Sequence, residues 1–319
     1  MRNFLAACGK YTLSAAFVFV LGISAFAQVG LRDAIDGDND NKADYTIFRP
    51  SNNTWYILNS GGIRTQMFGV FTDDFLTPGD YDGDGKGDIA VWREATGVWY
   101  RLNSATTTFT THNWGQSGDE PVARDYDGDG RTDLAVVRRS NGVMTWYLFF
   151  SSNNGFEARQ FGVTNDFVAP GDYDGDGKYD LAVQRPGASP TSAGTFFIQN
   201  ASGYNVVTWG QSNDLIVPGD YDGDGKTDIA VVREGTASDP SLVWLVRRSS
   251  DGSLLQQTWG VTSTDLNAQN DYDGDGKTDF AIWRNTDGRF YVYNAVNGAI
   301  SVVAWGAPND FPVAGYDTH

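Results

Sequence analysis

The sequence is poor in the residues from which many catalytic centres are built. It has one cysteine, Cys8, and two histidines, His112 and the last residue, His319. Cys8 lies in a stretch read below as an export signal, so disulfides and thiol chemistry are excluded from the rest of the chain. Zinc sites and nucleophile–histidine arrangements that draw on clustered imidazoles lack their parts. Basic residues are scarce as well. The 23 Lys and Arg face 40 Asp and Glu, giving a net charge of −17, the wrong sign for nucleic acid, whose phosphates need a basic face. Sustained helical periodicity is also missing, which predicts an all-β chain.

The apolar run from Leu13 to Ile23 is short of the roughly 20 residues that cross a bilayer. It follows Arg2 and Lys10 and precedes Ala25-Phe26-Ala27, so residues 1–27 read as a secretory signal. Leu5-Ala6-Ala7-Cys8 spells a lipoprotein cleavage box, but it precedes the apolar run and should leave with the signal. The expectation is an exported chain, periplasmic or extracellular, with residues 28–319 as one domain, no membrane span and a monomeric state.

Aspartate is what the chain has in excess, and it is ordered. A nine-residue loop, Asp-x-Asp-x-Asp-x-x-x-Asp, begins at Asp36, Asp80, Asp125, Asp172, Asp220 and Asp271, with spacings of 44, 45, 47, 48 and 51 residues. That period suits a propeller blade of four short strands. Each loop leads into an apolar strand ending in arginine, at Arg49, Arg93, Arg138, Arg185, Arg233 and Arg284. A second strand is centred on an aromatic, at Trp55, Trp99, Trp146, Phe196, Trp244 and Phe290. A third ends in aromatic-glycine, from Phe68-Gly69 to Trp305-Gly306, with a further aspartate four or five residues on. Thr77-Pro78-Gly79 and its counterparts are expected to be the fourth strand, innermost because small residues fit a crowded axis. Leu31 to Ile35 holds that position before the first loop, and Phe311 to Asp317 repeats it after the last unit. Six blades is the direct count, with a terminal strand completing the first blade and removing exposed edges; seven would follow if the terminal pieces built a partial blade.

Four carboxylates per loop converge if the loop curls, and oxygen-only donors suit calcium, which takes six to eight oxygens. The expected ligands are Asp36, Asp38, Asp40 and Asp44; Asp80, Asp82, Asp84 and Asp88; Asp125, Asp127, Asp129 and Asp133; Asp172, Asp174, Asp176 and Asp180; Asp220, Asp222, Asp224 and Asp228; and Asp271, Asp273, Asp275 and Asp279. The seventh residue of each loop, Lys42, Lys86, Arg131, Lys178, Lys226 or Lys277, is expected to offer its backbone carbonyl. Glycine at the sixth position, such as Gly85, permits the curl. The first loop has Asn41 there, a residue that tolerates the left-handed region. The loops hold 24 of the 40 acids, and clusters so dense repel one another without a counterion. Magnesium, which demands octahedral geometry and holds its water, suits such loops less well.

These residues resemble the FG-GAP and VCBS repeat families, in which an aspartate calcium loop joins two strands of a propeller blade, as in the integrin α-subunit head. The likeness runs from about Leu31 to Asp317, and Val217 to Arg233 is similar to bacterial VCBS repeats. It implies the propeller fold and a metal role for the matching aspartates. The family includes adhesins, lectins and enzyme-attached domains, so it implies no single function.

The expected function is a secreted, calcium-binding, non-catalytic adhesion or binding module for an extracellular glycan or protein. The competing expectation is a carbohydrate-active enzyme using a carboxylate pair drawn from the acids outside the repeat, including Glu94, Glu120, Glu157, Glu234, Asp239, Asp251 and Asp287. A ligand site should break the repeat symmetry. From the strand-ending arginine to the next aromatic, units 1, 2 and 6 take six steps, unit 3 eight, and units 4 and 5 eleven. The added residues, Pro186 to Thr195 and Glu234 to Val243, should project from the face opposite the aspartate loops, where rigid scaffolds tend to carry binding residues. The repeated aromatics are expected in the core, and the repeated arginines in pairs with aspartates or capping carbonyls.

Overall fold

The computed structural model describes residues 36–314. The expected export signal, Leu31–Ile35, Asp317 and His319 lie outside the described residues. Among the described residues no helix is long and apolar enough to cross a membrane.

The described residues are all-β and form a six-bladed propeller, each blade a four-stranded antiparallel sheet. In chain order the strands are β1 (Tyr45–Arg49), β2 (Thr54–Asn59) and β3 (Gly62–Met67); β4 (Asp74–Leu76), β5 (Ile89–Arg93), β6 (Val98–Leu102) and β7 (Phe109–Asn113); β8 (Glu120–Pro121), β9 (Leu134–Ser140), β10 (Val143–Phe149) and β11 (Phe156–Val163). They continue as β12 (Phe167–Val168), β13 (Leu181–Arg185), β14 (Ala193–Asn200) and β15 (Gly203–Gln211); β16 (Leu215–Ile216), β17 (Ile229–Arg233), β18 (Ser241–Arg247) and β19 (Leu254–Val261); β20 (Asp265–Asn267), β21 (Phe280–Arg284), β22 (Arg289–Tyr293) and β23 (Ile300–Ala304); and β24 (Phe311–Val313). β24 pairs with β1, so the C-terminal strand completes blade 1.

Burial grades across each blade. Strands such as β5 and β17 are near-continuous apolar runs, Ile-Ala-Val-Trp and Ile-Ala-Val-Val, buried on both faces. The next strand alternates, turning Trp55, Trp99, Trp146, Phe196, Trp244 and Phe290 fully inward. The third strand is largely exposed. The aromatics therefore pack as expected, and their polar edges join strands and blades. Trp99 Nε1 donates to the Trp114 carbonyl in its own blade, whereas Trp114 Nε1 donates to the Tyr147 carbonyl of the next. Trp209 to Leu245, Trp259 to Tyr291 and Trp305 to Tyr56 repeat the second bond, the last across the ring closure.

The fourth strand falls earlier than Thr77-Pro78-Gly79. β4 covers Asp74–Leu76, after which only the Thr77 N–H to Ala90 carbonyl bond and an isolated Gly79–Asp88 bridge continue the ladder. Pro78 has no N–H to give and interrupts the pairing. Gly79 is needed for another reason: a Cβ there would sit 2.5 Å from Thr132 Oγ1 in the next unit's loop. Gly171 meets Thr227 and Gly219 meets Thr278 in the same way. Where unit 3 has Arg124 in place of the glycine, the next loop has Tyr179 in place of the threonine, and the guanidinium lies 5.6 Å from the tyrosine ring centre.

The insertions in units 4 and 5 lie at the end of the blade opposite the aspartate loops, as strand direction requires. They are not wholly loop. β14 begins at Ala193 and β18 at Ser241, each joined to its outer neighbour through a β-bulge that adds a rung, Ala193–Gln211 and Ser241–Val261.

Candidate metal loops

Each aspartate loop is wound around its first carboxylate. In unit 2, Asp80 Oδ1 accepts the Gly83 N–H at 2.7 Å and Oδ2 the Gly85 N–H at 2.8 Å. Aiming both amides inward puts Gly83 and Gly85 in the left-handed region, with φ of 79° and 81°. Unit 1 reaches the same shape with Asn39 and Asn41, both at 61°. The fourth position thus needs left-handed backbone as much as the sixth, a requirement the sequence reading assigned only to the sixth.

The curl brings carboxylates together. Oxygens of Asp80, Asp82 and Asp88 lie within 4.8 Å of one another, as do those of Asp125, Asp127 and Asp133, of Asp172, Asp174 and Asp180, of Asp220, Asp222 and Asp228, and of Asp36, Asp38 and Asp40. In unit 6, Asp271 and Asp279 keep the same backbone bonds, Asp271 accepting Gly274 and Gly276, and Asp279 accepting Tyr272. The fifth-position aspartates brace the loop from within: Asp40, Asp84, Asp129, Asp176, Asp224 and Asp275 accept the N–H of Lys42, Lys86, Arg131, Lys178, Lys226 and Lys277.

Two features show strain that a cation would relieve. The Oδ1 atoms of Asp38, Asp82, Asp127, Asp174 and Asp222 are buried with no hydrogen-bond partner, a costly state for an acceptor. The ninth-position carboxyls are pushed up from 3.8 by burial: Asp88 to about 6, Asp44, Asp133, Asp228 and Asp279 to about 7, and Asp180 to about 8. An oxygen-only set with orphaned, converging acceptors fits a hard divalent cation.

Three supports escaped the sequence reading although the repeats carry their signal. The second loop residue is tyrosine in five units, and its hydroxyl donates to the carbonyl four residues back, as from Tyr81 to Thr77 and from Tyr221 to Val217. The hairpin after the aromatic strand supplies serine: Ser104, Ser151 and Ser249 donate N–H to Asp88, Asp133 and Asp228, and Oγ to Asp84, Asp129 and Asp224. Finally, each loop is tied to its neighbour. The eighth residue donates its N–H to the carbonyl of the preceding loop's first aspartate: Gly87 to Asp36, Thr132 to Asp80, Tyr179 to Asp125, Thr227 to Asp172, Thr278 to Asp220 and Ala43 to Asp271, all between 2.6 and 2.9 Å. The six loops are one hydrogen-bonded belt.

The side chains of Lys42, Arg131, Lys178, Lys226 and Lys277 lie over the fourth-position glycines of the preceding loops, Gly274, Gly83, Gly128, Gly175 and Gly223. All six strand-ending arginines pair with the aspartate that follows an aromatic-glycine pair. Arg93–Asp74 has bonds of 2.7 and 2.9 Å, and Asp74 is buried.

The acids outside the repeat are dispersed among other partners. Glu120 pairs with Arg139 and Glu157 with Arg159, Glu94 accepts the Gly118 N–H, and Asp287 accepts the Tyr291 hydroxyl. Asp239 and Asp251 accept the N–H groups of Ser241 and Ser253, and burial raises the pKa of Glu234. His112 packs on Phe149, ring centres 4.4 Å apart, and burial lowers its pKa.

A family model for the FG-GAP-like repeat matches residues 80–136 and 125–183. No curated protein matches the sequence. Among solved structures, the chain is similar to TolB from Acinetobacter baumannii, with a TM-score of 0.56 at 16% identity, over 86% of this chain and 64% of that one. It thus spans less than two thirds of the TolB chain. It is also similar to AofleA from Arthrobotrys oligospora, with a TM-score of 0.50 at 10% identity over 92% of each chain. BBS1N in complex with ARL6DN gives 0.51 at 11% identity, over 92% of this chain and 86% of that one. At these identities the likeness is one of fold.

Proposed function

The chain carries FG-GAP-like repeats in a six-bladed propeller, and from that premise we propose that it is an exported, calcium-stabilised, non-catalytic binding module. The carrying observation is the set of buried, unpartnered Oδ1 atoms at Asp38, Asp82, Asp127, Asp174 and Asp222. Each sits beside the first and either the fifth or the ninth carboxylate of its loop, so one cation per loop would satisfy an acceptor that the protein leaves unmatched. The ligands would be the aspartates at positions 1, 3, 5 and 9, with the carbonyls of Lys42, Lys86, Arg131, Lys178, Lys226 and Lys277. Bound calcium would neutralise repelling carboxylates and lock the belt.

Export supplies the logic for weak sites. Calcium is plentiful outside the cell, so loops empty in the cytoplasm would fill on arrival, coupling full stability to location. Six alike units cannot each hold a unique reaction centre, and the partner, an extracellular glycan or protein, would be read by what differs between units. Calorimetric calcium titration with thermal melting tests the metal. Uptake of about six ions and a chelator-sensitive melt are expected; melts identical with and without chelator would overturn the reading.

A further inference from the structure

The seams between blades are repeats too, and one is unlike the others. At five of them the guanidinium of the strand-ending arginine is covered by a ring on the neighbouring strand: Arg49 by Tyr56 at 4.4 Å, Arg93 by Tyr100 at 4.8 Å, Arg138 by Tyr147 at 4.4 Å, Arg185 by Phe197 at 4.4 Å and Arg284 by Tyr291 at 4.5 Å. In blade 5 the same register position, opposite Val231, is Leu245. A cavity of about 380 Å³ opens there, between blades 4 and 5, lined by Thr191, Trp209, Gln211, Arg233, Leu245 and Leu254, with Ala193 and Gly210. Thr191 and Ala193 belong to the unit 4 insertion, so the seam without its covering ring is also the seam to which an insertion adds a wall.

The lining has a definite chemistry. Arg233 is held by Asp214 through Nε at 3.0 Å and Nη2 at 2.8 Å, and Nη1 takes no part in that pair. Asp214 is buried and cancels the charge, so the site offers an oriented donor and no net attraction for an anion. Trp209 is fixed by its Nε1 bond to the Leu245 carbonyl at 3.0 Å and lines the cavity together with Leu245 and Leu254. Thr191 and Gln211 line the same cavity and carry a hydroxyl and an amide that can donate and accept. An apolar, partly aromatic wall facing a few fixed polar groups suits a ring with hydroxyls on its edge and C–H bonds on its face.

We propose that the seam between blades 4 and 5 binds a neutral saccharide, with Trp209 under the sugar face and Arg233, Gln211 and Thr191 bonding its hydroxyls. This rests on the binding-module reading and narrows it to one seam and one ligand class. The test is the calcium-loaded protein on an array of immobilised neutral and acidic oligosaccharides, beside Leu245→Tyr, which restores the ring present at the other five seams, and Leu245→Phe as a second filling variant. Binding of at least one neutral glycan is expected, lost tenfold or more in both variants, with calcium-dependent melts within about 2 °C of the parent. Neutral-glycan binding that survives both substitutions overturns the site while leaving the binding-module reading intact. Binding of acidic glycans alone, or of no glycan, overturns the ligand class, and calcium-dependent melting is then read separately for the scaffold.

Discussion

Arg49 and Asp310 form the same two-bond ion pair, at 2.8 and 2.8 Å, as five other arginine–aspartate pairs, yet they are 261 residues apart where the others are 19 apart. The repeat has been cut so that its last aspartate returns to its first arginine. Around this pair the closure adds the three-residue β24 ladder, the Trp305–Tyr56 bond and the Ala43–Asp271 bond. Asp310→Asn should therefore cost on the order of 2–3 kcal/mol, below the value for a fully buried pair because Arg49 keeps some solvent. It should cost at least as much as Asp74→Asn, whose strand is covalently continuous with its blade. Denaturant midpoints with calcium present measure both. Asp310→Asn should also raise hydrogen exchange in β1 first.

Gly79 and Thr132 are fitted to each other across neighbouring units. A Cβ at 79 would meet Thr132 Oγ1 at 2.5 Å and Cγ2 at 2.9 Å, and the Gly79 backbone is not left-handed, so the penalty is steric alone. Gly79→Ala should destabilise by about 1–3 kcal/mol. Adding Thr132→Ala should recover part of that loss, with a coupling of at least ~0.5 kcal/mol in a double-mutant cycle. Additive losses would show that the contact is not the cause.

Much of this architecture is legible in the sequence because it recurs. The loops fix the period, the buried Trp and Phe mark the second strand, and the count of six units plus one strand foretells β24. What escapes is what links one unit to the next. Nothing near Thr132 shows that its N–H meets Asp80 fifty-two residues earlier, since register between blades is set only when the ring closes. The fourth-strand boundary slips because Pro78 splits a segment whose pairing resumes at Gly79. Leu245 reads in sequence as one more apolar strand residue; only against five rings over five arginines does it become a gap.

The ninth-position carboxyls set a pH dependence whose sign depends on metal. Burial raises Asp88 to about 6 and Asp133 and Asp228 to about 7, from 3.8. Below about pH 4 these groups are protonated whether folded or not. Between about pH 4 and 7 the unfolded chain has released protons that the fold retains, so metal-free stability falls as pH rises. Calcium requires the ionised form and binds better as pH rises. Melts at pH 5 and pH 8 should therefore rank pH 5 higher without metal. Calcium should raise the melt more at pH 8, by about 2.7 kcal/mol per site at a hundredfold excess over Kd. A metal-free protein that melts higher at pH 8 contradicts this assignment.

The belt makes the loops interdependent. Asp172 is placed to hold a cation through its side chain while its carbonyl accepts the Thr227 N–H at 2.7 Å, and Asp180 of the same loop adjoins Tyr179, whose N–H goes to the Asp125 carbonyl at 2.8 Å. A cation that stiffens loop 4 thereby orders an acceptor for loop 5 and a donor for loop 3. Asp172→Asn should then remove one ion and weaken its neighbours, with a coupling of about 1 kcal/mol, roughly fivefold in affinity. Native mass spectrometry across a calcium titration counts the ions. Independent loops would give five undisturbed sites, whereas a coupled belt gives fewer than five at concentrations that saturate the parent.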